Sequence, residues 1–224
     1  MVVTSNYALE DGAHAGYYLP EVIDFYEVVN AAGIEVDIAS PRGGMTSMYQ
    51  RRSNLASPST AALLEQTGLL ADLDHSIPLA QVVPEHYDAV YFVGGFAALE
   101  DFPTDPEVAR VGAGVYEQGG SVAAVCHGPA ALVNIRLSSG QYLVEGRKVT
   151  SRSSQQDRPL GGLLALDVER ALRNRGAEFQ KRSPGSGYVV VDERLITGQG
   201  PASTTELAER LVEQLQSTAT PPAP

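Results

Sequence analysis

Tryptophan is absent from the 224-residue chain and cysteine occurs once. A single cysteine excludes an intrachain disulfide, so nothing calls for an oxidising compartment, although pairing between chains stays open. Basic residues are few, 16 Lys and Arg against 27 Asp and Glu, for a formal net charge of −11. That balance, with no basic run and no basic–aromatic interleaving, argues against nucleic acid or an anionic membrane surface as the main partner. No apolar stretch approaches the ~20 residues needed to span a bilayer. The opening "MVVTSNYALEDGAHAGYYL" has neither the basic segment nor the continuous apolar segment of an export signal, so a cytoplasmic protein is expected. No His, Cys, Asp and Glu cluster has the spacing of metal ligands, and neither a metal nor another cofactor is expected.

What is present is a 43% apolar chain in which strand and helix patterns alternate. "MVVTS" reads as a first strand and "LPEVIDFYEVVNAAG" as a helix, with Val22, Phe25 or Tyr26, and Val29 at helical spacing. "IEVDIAS" alternates as a strand does. "YDAVYFVGG" and "SVAAV" are the near-continuous apolar runs of strands buried on both faces. "DPEVARVGAGVYEQGG" is a helix, and "GPAALVNI" begins another. Later, "QYLVEGRKVTS" reads as a hairpin around Glu145-Gly146, "LLALDVERALRNRGA" as an amphipathic helix, and "GYVVVDERLITG" as a hairpin turning at Asp192-Glu193. "STTELAERLVEQL" is a helix with Ser203 or Thr204 as N-cap. From Pro41 to Leu79 the chain is polar and irregular, apart from a short helix near Thr60–Thr67, and could hold a lid or an oligomer contact. The pattern predicts one α/β domain over residues 1–216, flavodoxin-like and doubly wound. Its mostly parallel sheet carries helices on both faces, and a disordered tail follows over 217–224. In such folds sites gather at the carboxyl ends of strands.

One such end holds the lone cysteine. In "SVAAVCHGPAAL", Ser121 to Leu132, the order Ala124-Val125-Cys126-His127-Gly128 is that of a nucleophile elbow. Small flanking residues let the turn be tight, Gly128 lets the following helix start close to the strand, and Pro129 suits a first helical turn. A helix N-terminus would lower the thiol pKa, and its free N–H groups could hold an oxyanion. A lone cysteine is commonly an inert apolar filler; placement in an elbow favours a reactive one.

The elbow and six further stretches carry a family resemblance. They are "YYLPE" (Tyr17–Glu21), "AGIEVDIASPRGG" (Ala32–Gly44), "YDAVYFVGG" (Tyr87–Gly95), "DFPTD" (Asp101–Asp105), "VEGRKVTS" (Val144–Ser151) and "RLITGQGPAS" (Arg194–Ser203). With "AAVCHGPAAL" (Ala123–Leu132) they identify the chain as resembling the ThiJ/PfpI superfamily, a class I glutamine amidotransferase-like fold that includes the parkinsonism-associated deglycase. The likeness is greatest to heat-shock chaperones with glyoxalase III activity. The resemblance implies that Cys126 is the nucleophile and that Glu21 approaches it from the first helix. It also implies an oxyanion hole made by the Gly95 and His127 amides, proton transfer assisted by the His127 side chain, and a homodimer. Without the family, Glu21 reads more readily as a solvated first-turn glutamate than as a catalytic group. No histidine follows His127, which argues against a glutaminase triad; His14, His75 and His86 read as surface or structural.

The family pattern is broken at several points. "GGFA" stands for the usual "GGHG", placing Phe96 near the nucleophile. "VTSRSSQQD" replaces a "VTGF" stretch followed by paired acids, leaving Asp157 as the candidate third member. "MTSMYQRRS" replaces a short acidic motif, bringing Tyr49, Arg51 and Arg52 to the pocket rim, where the arginines either bind a carboxylate or phosphate or are simply solvated. Three functions follow as expectations. The first is a cysteine-dependent, glutathione-independent glyoxalase III-like enzyme converting a 2-oxoaldehyde to a 2-hydroxy acid, with deglycase activity by the same steps. The second is a specialised hydratase, hydrolase or lyase of a biosynthetic pathway. The third is a non-enzymatic redox-sensing stress protein or chaperone. For either enzyme, the partner is a small electrophilic molecule, an aldehyde or related carbonyl.

Overall fold

The structure is a computed structural model that describes residues 1–8, 12 and 14–219. Its strands are β1 (Ala39–Ser40), β2 (Ile77–Pro78), β3 (Ala89–Phe92), β4 (Ser121–Val125), β5 (Lys148–Val149), β6 (Glu178–Phe179), β7 (Val189–Asp192) and β8 (Leu195–Gly198). The helices are α1 (Leu19–Ala31), α2 (Arg51–Leu55), α3 (Pro58–Gln66), α4 (Leu69–Asp74), α5 (Ala98–Asp101), α6 (Pro106–Glu117), α7 (Ser154–Asp157), α8 (Val168–Asn174) and α9 (Thr204–Ala219).

The chain is α/β, with a doubly wound sheet of the flavodoxin-like type. β3, β4 and β8 run parallel, and β7 closes one edge antiparallel to β8. "MVVTS" is not a strand of its own. Val2 forms parallel bridges to Ala39 on one side and Phe92 on the other, so the N-terminal segment joins the β1–β2 ladder to β3.

Alternation along the central strands builds the layers. Val90 and Phe92 of β3 and Val122 and Ala124 of β4 enter one core with α6 and α8. Tyr91, Val93, Ala123, Val125 and Cys126 enter the other with α1 and α9. A period of two with both faces apolar explains why these strands read as unbroken hydrophobic runs.

Several local expectations change. "IEVDIAS" pairs only over Ala39–Ser40. "GPAALVNI" winds as a 3-10 helix over Gly128–Asn134, every residue of it from Gly128 to Val133 buried. "QYLVEGRKVTS" makes no hairpin: Gly146 N–H donates to Gly176 O, and β5 pairs in parallel with β6. Its apolar residues Leu143, Val144 and Val149 are spaced to fill the core against α8 rather than to face a hairpin partner. Within Pro41–Leu79 the expected short helix is α3, capped by Ser57; α2 and α4 flank it, and Leu64, Leu69 and Leu73 are fully buried, while residues 41–50 stay irregular. Ser203 is engaged with the backbone of Tyr188, and α9 runs to Ala219, beyond the expected boundary at residue 216. Residues 220–224 of the expected tail lie outside the described residues. Among the described residues, no helix is long and apolar enough to cross a membrane.

Candidate active site

Cys126 follows the last residue of β4 and has φ 58°. A non-glycine residue in this left-handed region costs about 1–3 kcal/mol and persists only where its surroundings over-determine it. Here they do. Cys126 N–H donates to Gly198 O at 2.9 Å, and Cys126 O accepts from Arg152 N–H at 2.8 Å. Gly128 is required because a Cβ there would lie 2.2 Å from Phe92 O. The elbow read from the sequence is therefore present in the backbone.

Glu21 reaches the thiol from the first turn of α1. Its side chain is fully buried, on the same helical stripe as Phe25 and Val29, which is the i, i+4, i+8 face of a helix. Gly94 ties the two elements together. Its N–H donates to Glu21 Oε2 at 2.9 Å, and its carbonyl accepts from Tyr18 N–H at 3.1 Å. A Cβ on Gly94 would meet Glu21 Oε2 at 2.5 Å and Cys126 Cβ at 2.8 Å, so the carboxyl and the cysteine converge on one spot that only glycine leaves open. Glu21 Oε1 is buried without a fully formed hydrogen bond, and Cys126 is a group that approaches this carboxyl. Burial pushes the carboxyl up to about 8, against the pull of Cys126, the Gly94 N–H and Arg152. At neutral pH it holds its proton.

The thiol departs from the expectation of a lowered pKa. Burial, and then the neighbouring Glu21 charge, push Cys126 well above its ordinary value; Arg152 and the His127 N–H pull it back. The element after the elbow is a single 3-10 segment of 7 residues, and burial outweighs its end.

His127 and Asp157 meet as well. His127 is 2% exposed, its Nε2 is 3.1 Å from Asp157 Oδ2, and its Nδ1 is 4.0 Å from Cys126 Sγ. An Nε2–H donated to the carboxylate leaves the Nδ1 lone pair facing the sulfur. Asp157 is held by a capping box: Ser153 Oγ accepts from Gln156 N–H, and Gln156 Oε1 accepts from Ser153 N–H. This motif, S-x-x-Q before the aspartate, was the legible signal for a positioned Asp157. Burial pushes the Asp157 carboxyl up, but His127 and Arg152 more than offset it and hold it below the usual carboxylate range.

The rim is mixed. Phe96 lies 5.3 Å from the His127 ring, and Tyr49 meets Phe96 edge-on at 6.2 Å, so both stand over the site. Gly95, at φ 119°, is packed against Gly16 O. Arg51 does not offer a free cation: it pairs with Asp74 through both guanidinium nitrogens at 2.8 and 2.6 Å, so the carboxylate expected at this arginine comes from within the chain. Sequence reasoning missed Arg152. Its Nε is 2.5 Å from Asp157 Oδ1, and its charge lies against Cys126.

The geometry can be set beside known proteins. The chain is 27% identical over 226 residues to glyoxalase 3 of Candida albicans, covering 90% of each chain. It is 28% identical to the glutathione-independent glyoxalase HSP31 of Saccharomyces cerevisiae, covering 92% of each. The crystal structure of glyoxalase III from Candida albicans superposes with a TM-score of 0.84 at 25% identity, over 95% of this chain and 94% of that one. The DJ-1/PfpI family profile matches residues 14–214, and the chain belongs to the DJ-1/PfpI family.

Proposed function

We propose that the chain is a glutathione-independent glyoxalase in which Cys126 is the nucleophile. The observation that carries this reading is a buried thiol set against a carboxyl that holds its proton at neutral pH, in a chain similar throughout to curated glyoxalases. The Cys126 thiol adds across the aldehyde carbonyl of a 2-oxoaldehyde: the sulfur bonds to the carbon, while Glu21 gives its proton to the carbonyl oxygen and takes the thiol's proton in return, forming a hemithioacetal. His127, with Asp157 behind it, takes the hydrogen from that carbon as a proton while Glu21 protonates the neighbouring carbonyl oxygen, leaving an enediol. His127 returns its proton to the adjacent carbon, the hydroxyl on the sulfur-bearing carbon gives its proton back to Glu21, and the product is the thioester of a 2-hydroxy acid. Water cleaves the C–S bond, releasing the acid and restoring the thiol. The sum is one 2-oxoaldehyde and one water to one 2-hydroxy acid, with no net oxidation. The His127 N–H, directed at the sulfur, and the Gly95 N–H are the groups proposed to receive the oxyanion.

The aromatic pair Phe96 and Tyr49 over His127 favours a second reading within the same chemistry, a bulkier electrophile than methylglyoxal. The test is 2-hydroxy acid formation from methylglyoxal and from phenylglyoxal, without glutathione. Turnover lost in Cys126→Ser supports the proposal. Turnover that survives Cys126→Ser, or no product from either substrate, overturns it.

A further inference from the structure

The site poses an electrostatic problem. Cys126 is 6% exposed, so ionising its thiol places a charge where water hardly solvates it. Glu21 and, one turn away, Asp24 are acids, and Asp157 is an anion. Of the groups that set the ionisation of the thiol, namely Glu21, Arg152 and the His127 N–H, only Arg152 carries a permanent positive charge. Its backbone is bolted to the elbow, its N–H donating to Cys126 O at 2.8 Å. Its Nε is fixed by Asp157 Oδ1 at 2.5 Å, and Nη2 reaches Gln156 O at 3.4 Å. The other oxygen of Asp157 is taken by His127. Cys126, His127, Asp157 and Arg152 therefore form a closed ring, which the Arg152 N–H closes on the Cys126 carbonyl, with the guanidinium charge beside the thiol. Arg152 falls where the resembled pattern "VTGF" has phenylalanine, so this charge belongs to this chain's own version of the site.

We propose that Arg152 is the counter-cation of the Cys126 thiolate, its guanidinium shared between the sulfur and the Asp157 carboxylate. The proposal rests on Cys126 being the nucleophile, but not on what it attacks. With the thiol neutral, Arg152 and Asp157 form a closed pair. When the thiol loses its proton, the same cation faces two anions, and the thiolate is stabilised without any change of fold.

The experiment is the rate of Cys126 alkylation by iodoacetamide across pH, read by intact mass on the full chain. Cys126 is the free thiol of this chain, so the thiolate displacing iodide is the reaction observed. Removing a neighbouring cation lowers the thiolate fraction, and Arg152→Met should slow alkylation at neutral pH by about tenfold or more, with the rate recovered at alkaline pH. Arg152→Lys should recover part of the loss. Asp157→Asn, which frees the guanidinium for the sulfur, should leave alkylation as fast as in the parent or faster. A folded Arg152→Met chain with an unmoved pH profile overturns the proposal. If Arg152→Met fails to fold, slowing in Asp157→Asn and an unmoved profile in a folded, uncharged Arg152→Gln overturn it instead. Failure of the glyoxalase reading looks different: no hydroxy acid forms, while alkylation still depends on Arg152. A parent thiol that reacts at no pH sinks both.

Discussion

The two ends of the sheet differ in a way that cavity size does not convey. At the amino ends of the strands lies a cleft of about 840 Å³, with Phe25, Tyr91 and Leu211 in its wall. Its acids, Glu35, Asp37, Glu85 and Asp88, are exposed. At the carboxyl ends, Glu21, His127 and Cys126 are buried together. Exposed carboxylates keep ordinary solvation. Buried ones must find partners or keep their protons, and that is how a fold prepares an acid for chemistry at neutral pH. Coupled desolvation marks the carboxyl end as the site.

The largest difference between the two ends should appear when one end is altered at a time. Cys126→Ser should reduce hydroxy acid formation from methylglyoxal by about a thousandfold or more. Tyr87→Phe, which removes only the hydroxyl bonded to Asp37 at the amino end, should leave kcat/KM unchanged. Equal losses in steady-state assays would mean that the carboxyl end has no special status.

Next in size is Glu21→Gln, which keeps an acceptor for the Gly94 N–H but cannot give up a proton. A loss in kcat of about a hundredfold or more is expected. The same change sharpens the stability contrast. The carboxyl is raised from 4.5 to about 8 on folding, so between these values the folded chain holds a proton that the unfolded chain has lost. The stability from this group is complete below 4.5 and is lost as pH rises through about 8. Unfolding free energies measured across that window should therefore fall more steeply for the parent than for Glu21→Gln, by a margin on the order of a few kcal/mol. Parallel curves would show that the carboxyl is not desolvated. Asp157→Asn follows, with kcat reduced about tenfold to a hundredfold and KM nearly unchanged, because it orients His127 without meeting the substrate. A rise in KM alone would place the aspartate in binding instead.

What could be read from the sequence follows the same physics. β3 and β4 were legible because strands buried on both faces leave unbroken apolar runs, and the elbow because a tight turn restricts residue size at fixed positions. Glu21 was ambiguous taken alone, yet it shares a stripe with Phe25 and Val29, a pattern that marks a glutamate facing the core. Arg152 was illegible because its role depends on where Cys126 and Asp157 meet in space. The Lys148–Val149 pairing was misread for a related reason: its partner, Glu178–Phe179, is distant in sequence, and alternation alone does not name a partner. Arg51 shows the limit from the other side, since a surface arginine gives no sign that Asp74 already holds it.

The smallest expected effect concerns the rim, and it separates two roles for Phe96. The ring is half-buried and touches both His127 and Tyr49. If its exposed face receives the substrate, Phe96→Ala should raise KM for phenylglyoxal by about threefold to tenfold, the worth of one aromatic contact at ~0.5–1.5 kcal/mol. KM for methylglyoxal, which has no ring to stack, should hardly move, and kcat should hold for both. If Phe96 instead works by pinning the His127 ring, kcat should fall equally for both substrates and the KM ratio should stay fixed. A pinned imidazole acts on every substrate alike, whereas an aromatic contact acts only on those that bring a ring, so the ratio of the two KM values decides between them.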